Sequence, residues 1–242
     1  MRCDCFTFER EVVRSLIPNI TVPELPENPE EYVDYLRGLN LFETASYSEE
    51  DKVRTQQYRA EAQRVSLQSQ CTDYDAYLEG LLMIAEAKPF DTFHFPRIAQ
   101  LTQRSNQFNL RTVRYTEQEI ASIAEDDRYI TLYFTLKDKF GDHGLISAVI
   151  MEKQDDRLFV NTWLMSCRVL KRGMEEFIVN KMVSTAKEAG YETVEGEYLK
   201  TAKNAMVSRI YEKLGFQALS DTQFIANTNT FTPNKTHIKE DI

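Results

Sequence analysis

Hydrophobic and polar positions change their period along the chain. YITLYFTLK (129–137) alternates strictly, with Ile130, Leu132, Phe134 and Leu136 on one side. A period of two predicts a strand with a buried face. GLISAVIMEK (144–153) and RLFVNTWLM (157–165) predict two more strands, and QDD (154–156) predicts the hairpin connection between them. The period then lengthens. Met174, Phe177, Ile178, Met182 and Ala186 fall near one helical face, which predicts a helix from about Gly173. TVEGEYL (193–199) predicts a fourth strand. Asn204 to Leu214 predicts a helix, with Gly215 where a left-handed residue closes one. The order β-β-β-α-β-α is an α/β layer arrangement.

The first hundred residues read as mostly helical. Asn28 and Pro29 supply an N-cap and a first position for a helix running to about Leu36. Ser48 followed by Glu49, Glu50 and Asp51 starts another, extending through Arg64, because acidic side chains suit the positive helix end. Thr72 to Leu82 predicts a third, with Asp73 and Asp75 at its start. Before these, NITVPELP (19–26) predicts one short strand. Thr116 and Glu119 form a capping box ahead of a short helix. Six of the seven prolines precede residue 100 and six of the eight glycines follow it, so the chain divides there. The expected organisation is a helical region over 1–100, an α/β domain over 101–222, and a polar tail over 223–242 that adds the strand QFIA (223–226) and then frays.

Composition narrows the function classes. With 242 residues, 42% hydrophobic and 28% charged, the chain buries a core without staples and is not disordered. Its net charge is −9. Residues 1–100 carry 10 Lys/Arg against 18 Asp/Glu, whereas residues 101–242 carry 19 against 20. General nucleic-acid binding, which needs a positive face, is therefore not expected, and an anionic ligand belongs in the second half. Cys3, Cys5, Cys71 and Cys167 fit neither a disulfide framework nor zinc spacing, so no metal is expected. No apolar run approaches the roughly 18 residues of a membrane span, and MRCDCFTFERE is too charged for a signal peptide. The expectation is a cytoplasmic protein without a membrane partner.

Four groups of residues can carry chemistry. In LMSCRVLKRGMEEF (164–177) a strand ends, a basic loop follows and a helix begins. Free N–H groups at a helix start bind anions, Arg168, Lys171 and Arg172 add charge, and Gly173 permits close backbone approach. The alternative is a plain basic loop. Cys167 sits beside these cations near a helix start, a setting that favours a reactive thiolate, or it is a structural cysteine in a strand. Tyr211 lies seven residues from Asn204 on one helix face, either for catalysis or for packing with Ile210, Leu214 and Phe216. His143, with Asp142 beside it in GDHG, is a general base or a turn residue. Asn106, Gln107 and Asn109 orient a polar acyl group or cap a turn.

The loop and the later helix together resemble the GNAT superfamily of acyltransferases. There, a loop of the form R/Q-x-x-G-x-G/A cradles an acyl-CoA pyrophosphate, and a Tyr in a later helix often protonates the leaving thiolate. Arg168, Lys171 and Gly173 occupy the loop pattern, with Lys171 where the first Gly is expected, and Tyr211 matches the Tyr. Adding LTQRSNQFNLRTVRYTEQEI (101–120), KDKFGDHGLI (137–146), SCRVLKRGMEE (166–176) and EYLKTAKNAMVSRIYEKLGF (197–216), in that order, the chain resembles the C-terminal part of FkbH-like proteins. FEREVVRSLIPNITVPELPENPEEY (8–32) resembles the end of their N-terminal HAD-type phosphatase domain.

The resemblance implies a GNAT-like mixed sheet flanked by helices after a mostly helical N-terminal region. It implies glyceryl transfer to the phosphopantetheine thiol of an acyl carrier protein, feeding polyketide-type pathways. Cys167, Tyr211 and His143 would be catalytic. Arg168, Lys171, Arg172, Gly173 and Asn204 would hold CoA or the pantetheine arm. Asn106, Gln107 and Asn109 would hold the acyl group. The D-x-D of a HAD phosphatase has only Asp73-Tyr74-Asp75 as a counterpart, at a helix start, and the family's late acidic pair falls at Asp4 and Cys5, losing one acid. No working phosphatase site is expected, so a separate HAD phosphatase enters as a partner. Two alternatives stay open: an acetyl-CoA-dependent amine acetyltransferase, and a non-catalytic module that docks a carrier protein.

Overall fold

The computed structural model describes residues 5–16, 21–39 and 49–241. The expected helix start at Ser48, the Asn19–Ile20 portion of NITVPELP, and Cys3 and Asp4 lie outside the described residues. The chain divides into two compact units, Met1–Val53 and Arg54–Ile242.

In the first unit, helix α1 (Cys5–Leu16) ends on Arg14, whose guanidinium donates to Val22 O at 2.9 Å and Glu24 Oε1 at 2.5 Å. Those bonds tie down residues 21–26, which form no strand, contrary to expectation. Pro residues at 23 and 26 remove ladder donors there. Asn28 Oδ1 accepts from Glu30 N–H at 3.4 Å and starts the predicted helix, which opens as a 3₁₀ turn (Pro29–Glu31) and runs into α2 (Tyr32–Gly38).

The second unit holds an eight-stranded mixed sheet flanked by helices, the expected class. Helix α3 (Glu49–Gln70) begins before the division and leads to α4 (Tyr74–Gly80), which Asp73 caps through Ala76 N–H at 2.8 Å. Strand β1 (Ile84–Lys88) and helix α5 (Phe95–Arg104) follow, neither of them expected from the sequence. Helix α6 (Glu117–Glu125) carries the predicted capping box between Thr116 and Glu119. Strands β2 (Tyr129–Asp138), β3 (Gly141–Gln154) and β4 (Arg157–Met165) form the antiparallel meander that the alternation predicts. Helix α7 (Met174–Glu188) crosses to β5 (Thr193–Glu197), which pairs parallel with β4.

The expected helix over 204–214 is broken into a 3₁₀ turn (Ala205–Val207) and a short α8 (Ile210–Lys213), followed by Gly215 at φ +92°. Strands β6 (Gln217–Ala218), β7 (Gln223–Asn227) and β8 (Lys239–Glu240) complete the order β6-β7-β5-β4-β3-β2-β1-β8. The expected strand over 223–226 is β7, paired with β5, but the tail after it does not fray: β8 pairs parallel with β1.

Two apolar layers sandwich the sheet. Leu132, Phe134 and Leu136 of β2 join Phe177, Ile178, Met182 and Ala186 of α7 in the main core. Tyr133 of the same strand faces a second cluster with Phe95, Ile98 and Leu101 of α5 and Ile120 of α6. Pairing of β4 with β5 stops at Val160 and Gly196. Beyond that point residues 108–110 fill the gap. Leu110 N–H donates to Trp163 O at 3.3 Å, Met165 N–H to Phe108 O at 3.1 Å, and Leu199 N–H to Leu110 O at 2.8 Å.

Candidate functional site

The end of β4 builds the site. Ser166 N–H donates to Ile146 O at 2.7 Å and fixes the strand terminus. The chain then turns through a 3₁₀ helix (Cys167–Val169). Val169 is fully buried and anchors the turn, so Cys167 and Arg168 are left exposed on its outer side. Both open onto a cavity of about 710 Å³, a size suited to a small organic ligand. Asn106 and Gln107 line its other wall. The sequence thus brings four of its candidates together: Cys167, Arg168, Asn106 and Gln107.

Three lining cations were missed: Arg97, Arg104 and Lys203. Arg97 and Arg104 stand seven residues apart on α5, two helical turns, and so share a face. A helical reading of 95–104 would have aligned them. Arg97 donates to Gln100 Oε1 and Arg168 Nε donates to Ser166 Oγ at 3.3 Å. Among the described residues neither these two nor Arg104 or Lys203 pairs with a carboxylate, and no Asp or Glu lines the cavity.

The other candidates sit elsewhere. Asn109 is buried, with Nδ2 donating to Ser105 O at 3.3 Å and Oδ1 accepting from Thr112 N–H at 2.8 Å. It shapes the cavity wall but does not line it. Asn204 is also buried, donating to Asn109 O and Leu199 O at 2.9 Å and accepting from Thr201 N–H at 2.7 Å. Its polar atoms are spent on backbone groups and the Tyr198 hydroxyl, so the cofactor role is corrected to a structural one.

His143 faces a buried ion cluster rather than the cavity. Its Nε2 lies 3.0 Å from Asp138 Oδ2 and 3.2 Å from Arg172 Nη1. Asp142 does not orient it; Asp142 Oδ1 accepts from Gly144 N–H at 2.6 Å and makes the turn. Arg172 is itself buried and pairs with Glu61 Oε2 at 3.3 Å. It points away from any ligand at the 168–173 loop.

Tyr211 is corrected from proton donor to core residue. It is 1% exposed and packs against Trp163, Phe216 and Phe224. Burial pushes its hydroxyl pKa up, and the hydroxyl has no hydrogen-bond partner among the described residues. A buried hydroxyl without a partner costs stability. Tyr211→Phe is therefore expected to leave the urea midpoint unchanged or to raise stability by about 1 kcal/mol. A clear fall would show that the hydroxyl makes a bond in solution.

The start of α7 is the remaining element. Lys171 and Gly173 both have left-handed backbone, φ +64° and +81°, the conformation that glycine adopts freely. The loop is tied on two sides: Tyr74 Oη donates to Lys171 O at 2.5 Å, and Thr236 Oγ1 to Gly173 O at 3.2 Å. Glu175 folds back so that its Oε1 accepts from Lys171 N–H at 3.3 Å, while Oε2 is buried without a partner among the described residues. Burial pushes the Glu175 carboxyl pKa up, against the opposing pull of N–H groups at Glu175, Lys171 and Met174. The chain's own carboxylate thus occupies the amides that a helix start offers to an anion.

No family model matches the chain, and no curated protein does. Solved structures do. The ribosomal-protein-S18-alanine N-acetyltransferase from Escherichia coli matches at 18% identity and a TM-score of 0.44, covering 59% of this chain and 91% of its own. Spermidine N-acetyltransferase from Vibrio cholerae, solved with CoA and spermine, matches at 9% identity and 0.47, covering 61% and 97%. The GNAT domain of S. lividans PAT matches at 12% identity and 0.45, covering 58% and 89%. Among the described residues no helix is long and apolar enough to cross a membrane, and no group of three or more His, Cys, Asp or Glu side chains is placed to hold a metal ion.

Proposed function

We propose that this chain is an acyltransferase working through the Cys167 thiol, and that it passes a glyceryl or related acyl group to the phosphopantetheine thiol of an acyl carrier protein. The observation that carries this is the exposed Cys167 on a cavity walled by Asn106, Gln107 and Arg168. The Cys167 thiolate attacks the acyl carbon of an activated donor. The bond to the leaving group breaks with its electron pair, and a thioester forms on Sγ. The carrier thiolate then attacks that thioester, taking the acyl group and releasing the Cys167 thiolate. The half-buried Asn106 and the exposed Gln107 supply amide donors and acceptors for the acyl hydroxyls. A separate HAD phosphatase would supply the dephosphorylated glyceryl group, in keeping with the resemblance to FkbH-like proteins.

Coenzyme A, which the GNAT resemblance implies, does not fit the loop that would cradle its pyrophosphate. Glu175 fills the amides there, Arg172 is turned into the ion cluster, and Lys171 replaces a glycine. The β4 edge beyond Val160 is already paired with residues 108–110.

The test is intact mass after incubation with a glyceryl-loaded carrier protein. A glyceryl increment on wild-type protein, absent from Cys167→Ser, is the expected result. An adduct that persists on Cys167→Ser would overturn the thioester role. Retention of acetyl-CoA without any covalent increment would favour amine acetylation instead.

A further inference from the structure

We propose that the cavity beside Cys167 is an oxyanion site, in which Arg97, Arg104, Arg168 and Lys203 bind the phosphate or carboxylate of a small acidic ligand. This deepens the proposed function by naming a substrate class for the same site, and it rests on that face being the substrate side. Four cationic side chains from three separate segments converge on one concavity: α5, the turn after β4 and the loop after β5. Among the described residues no carboxylate lines the cavity or pairs with any of the four. Elsewhere in the second unit the buried and half-buried arginines do have acids. Arg64 and Arg172 share Asp138 and Glu61, and Arg111 holds Glu197 at 2.8 Å. In a chain with net charge −9 there is no shortage of acidic residues to neutralise the cavity.

Like charges gathered without a counter-ion repel one another, and the arrangement bears this out at Arg97. Burial lowers its pKa, and repulsion from Arg168 and Arg104 lowers it further. A ligand with two negative oxygens relieves that repulsion and accepts paired N–H bonds from the planar guanidinium groups. Arg97 is half-buried, which shields its interaction with a ligand from solvent more than at a freely exposed arginine. The start of α7 does not compete for the anion, because Glu175 already occupies it.

The probes are inorganic phosphate and succinate, titrated separately into the full reduced chain by calorimetry. In parallel, the rate of Cys167 alkylation by iodoacetamide, a neutral reagent, is followed by mass. Binding that weakens as salt rises and slows the alkylation of Cys167 is expected. The two arms tell a phosphate ligand from a dicarboxylate. Arg97→Gln is expected to weaken the preferred anion by about tenfold or more, given the strength of charge-assisted bonds. The double variant Arg104→Gln/Lys203→Gln, made at exposed positions, is expected to do the same with Arg97 left in place. Glu175→Ala is expected to leave the affinity unchanged. Failure of both anions to bind or to protect Cys167 would overturn the site. So would affinity that ignores the cation variants, or binding that appears only in Glu175→Ala. Binding needs no thiol chemistry, so the two readings fail separately. Anion binding without an acyl adduct would fell the Cys167 role alone, and an adduct without anion binding would fell this site alone.

Discussion

Replacing Asp138 with alanine is expected to cost about 3–5 kcal/mol of folding stability, the range seen when one partner of a buried ion pair is removed. The Asp138 side chain is 0% exposed, and Arg64 and Arg172 around it are 5% and 8% exposed. Arg64 grips it in two places, Nε to Oδ2 at 2.7 Å and Nη2 to Oδ1 at 2.9 Å. Oδ1 also accepts from the N–H groups of Phe140 at 2.9 Å and Gly141 at 3.1 Å, which shapes the β2–β3 turn. Without the carboxylate, two buried guanidinium groups and His143 lose their shared acceptor, and only the half-exposed Glu61 remains. Urea unfolding followed by the single tryptophan, the buried Trp163, reads the loss directly. A change below about 1 kcal/mol would mean that water replaces the carboxylate at little cost.

The pH dependence has a definite sign. Burial opposes charge on Asp138, yet the bonds from His143, Arg64 and the Phe140 N–H outweigh it and hold the carboxyl well below the usual range. A carboxyl depressed on folding contributes stability that is full above its unfolded pKa, near 4, and is lost as pH falls toward the folded value. The gap between wild type and Asp138→Asn is therefore expected to be constant from neutral pH to about pH 5, then to narrow in acid. A gap that widened below pH 4 would contradict the assignment.

That cluster also shows why some of the molecule was legible in the sequence and some was not. Strands β2 to β4 were legible because their alternation is driven by burial, which acts residue by residue. Strand β1 was not. IAEAK contains little that is large and apolar, and it is a strand because Ala85 and its neighbours pair with Leu136 and the rest of β2. The helix read over 204–214 overlooked the competition from Asn204, whose side chain binds Thr201, Leu199 and Asn109 backbone and holds the chain in a turn. Arg64 and Asp138 meet across 74 residues, a contact no local spacing announces. The site divides in the same way. Cys167 and Arg168 lie at a strand end that the pattern fixes, whereas Arg97 and Arg104 become neighbours only once α5 is known to be a helix.

Gly196→Ala is expected to destabilise the protein by at least about 2–3 kcal/mol, at the upper end of overpacking costs. A Cβ at Gly196 would lie 2.2 Å from Tyr211 Cζ and 2.4 Å from its hydroxyl oxygen. The ring has little room to retreat. Phe216 and Phe224 stand at centroid distances of 5.0 and 5.3 Å, and Trp163 at 5.9 Å. Val194, two residues earlier on the same face of β5, is fully buried, so the strand cannot rise off the core without uncovering it. The clash is specific to the phenol, which gives the prediction a control. Tyr211→Leu alone creates a cavity and costs stability, but it removes the atoms that the new methyl would strike. The double variant Gly196→Ala/Tyr211→Leu is therefore expected to be more stable than the sum of the two single losses, a coupling that a double-mutant cycle measures. Strict additivity would mean that the two residues are not in contact in solution. The same cycle bears on the chemistry. If Tyr211 is the core filler that its position against Gly196 indicates, the folded double variant still acquires the acyl increment on Cys167, whereas a proton donor at that position would take the turnover with it.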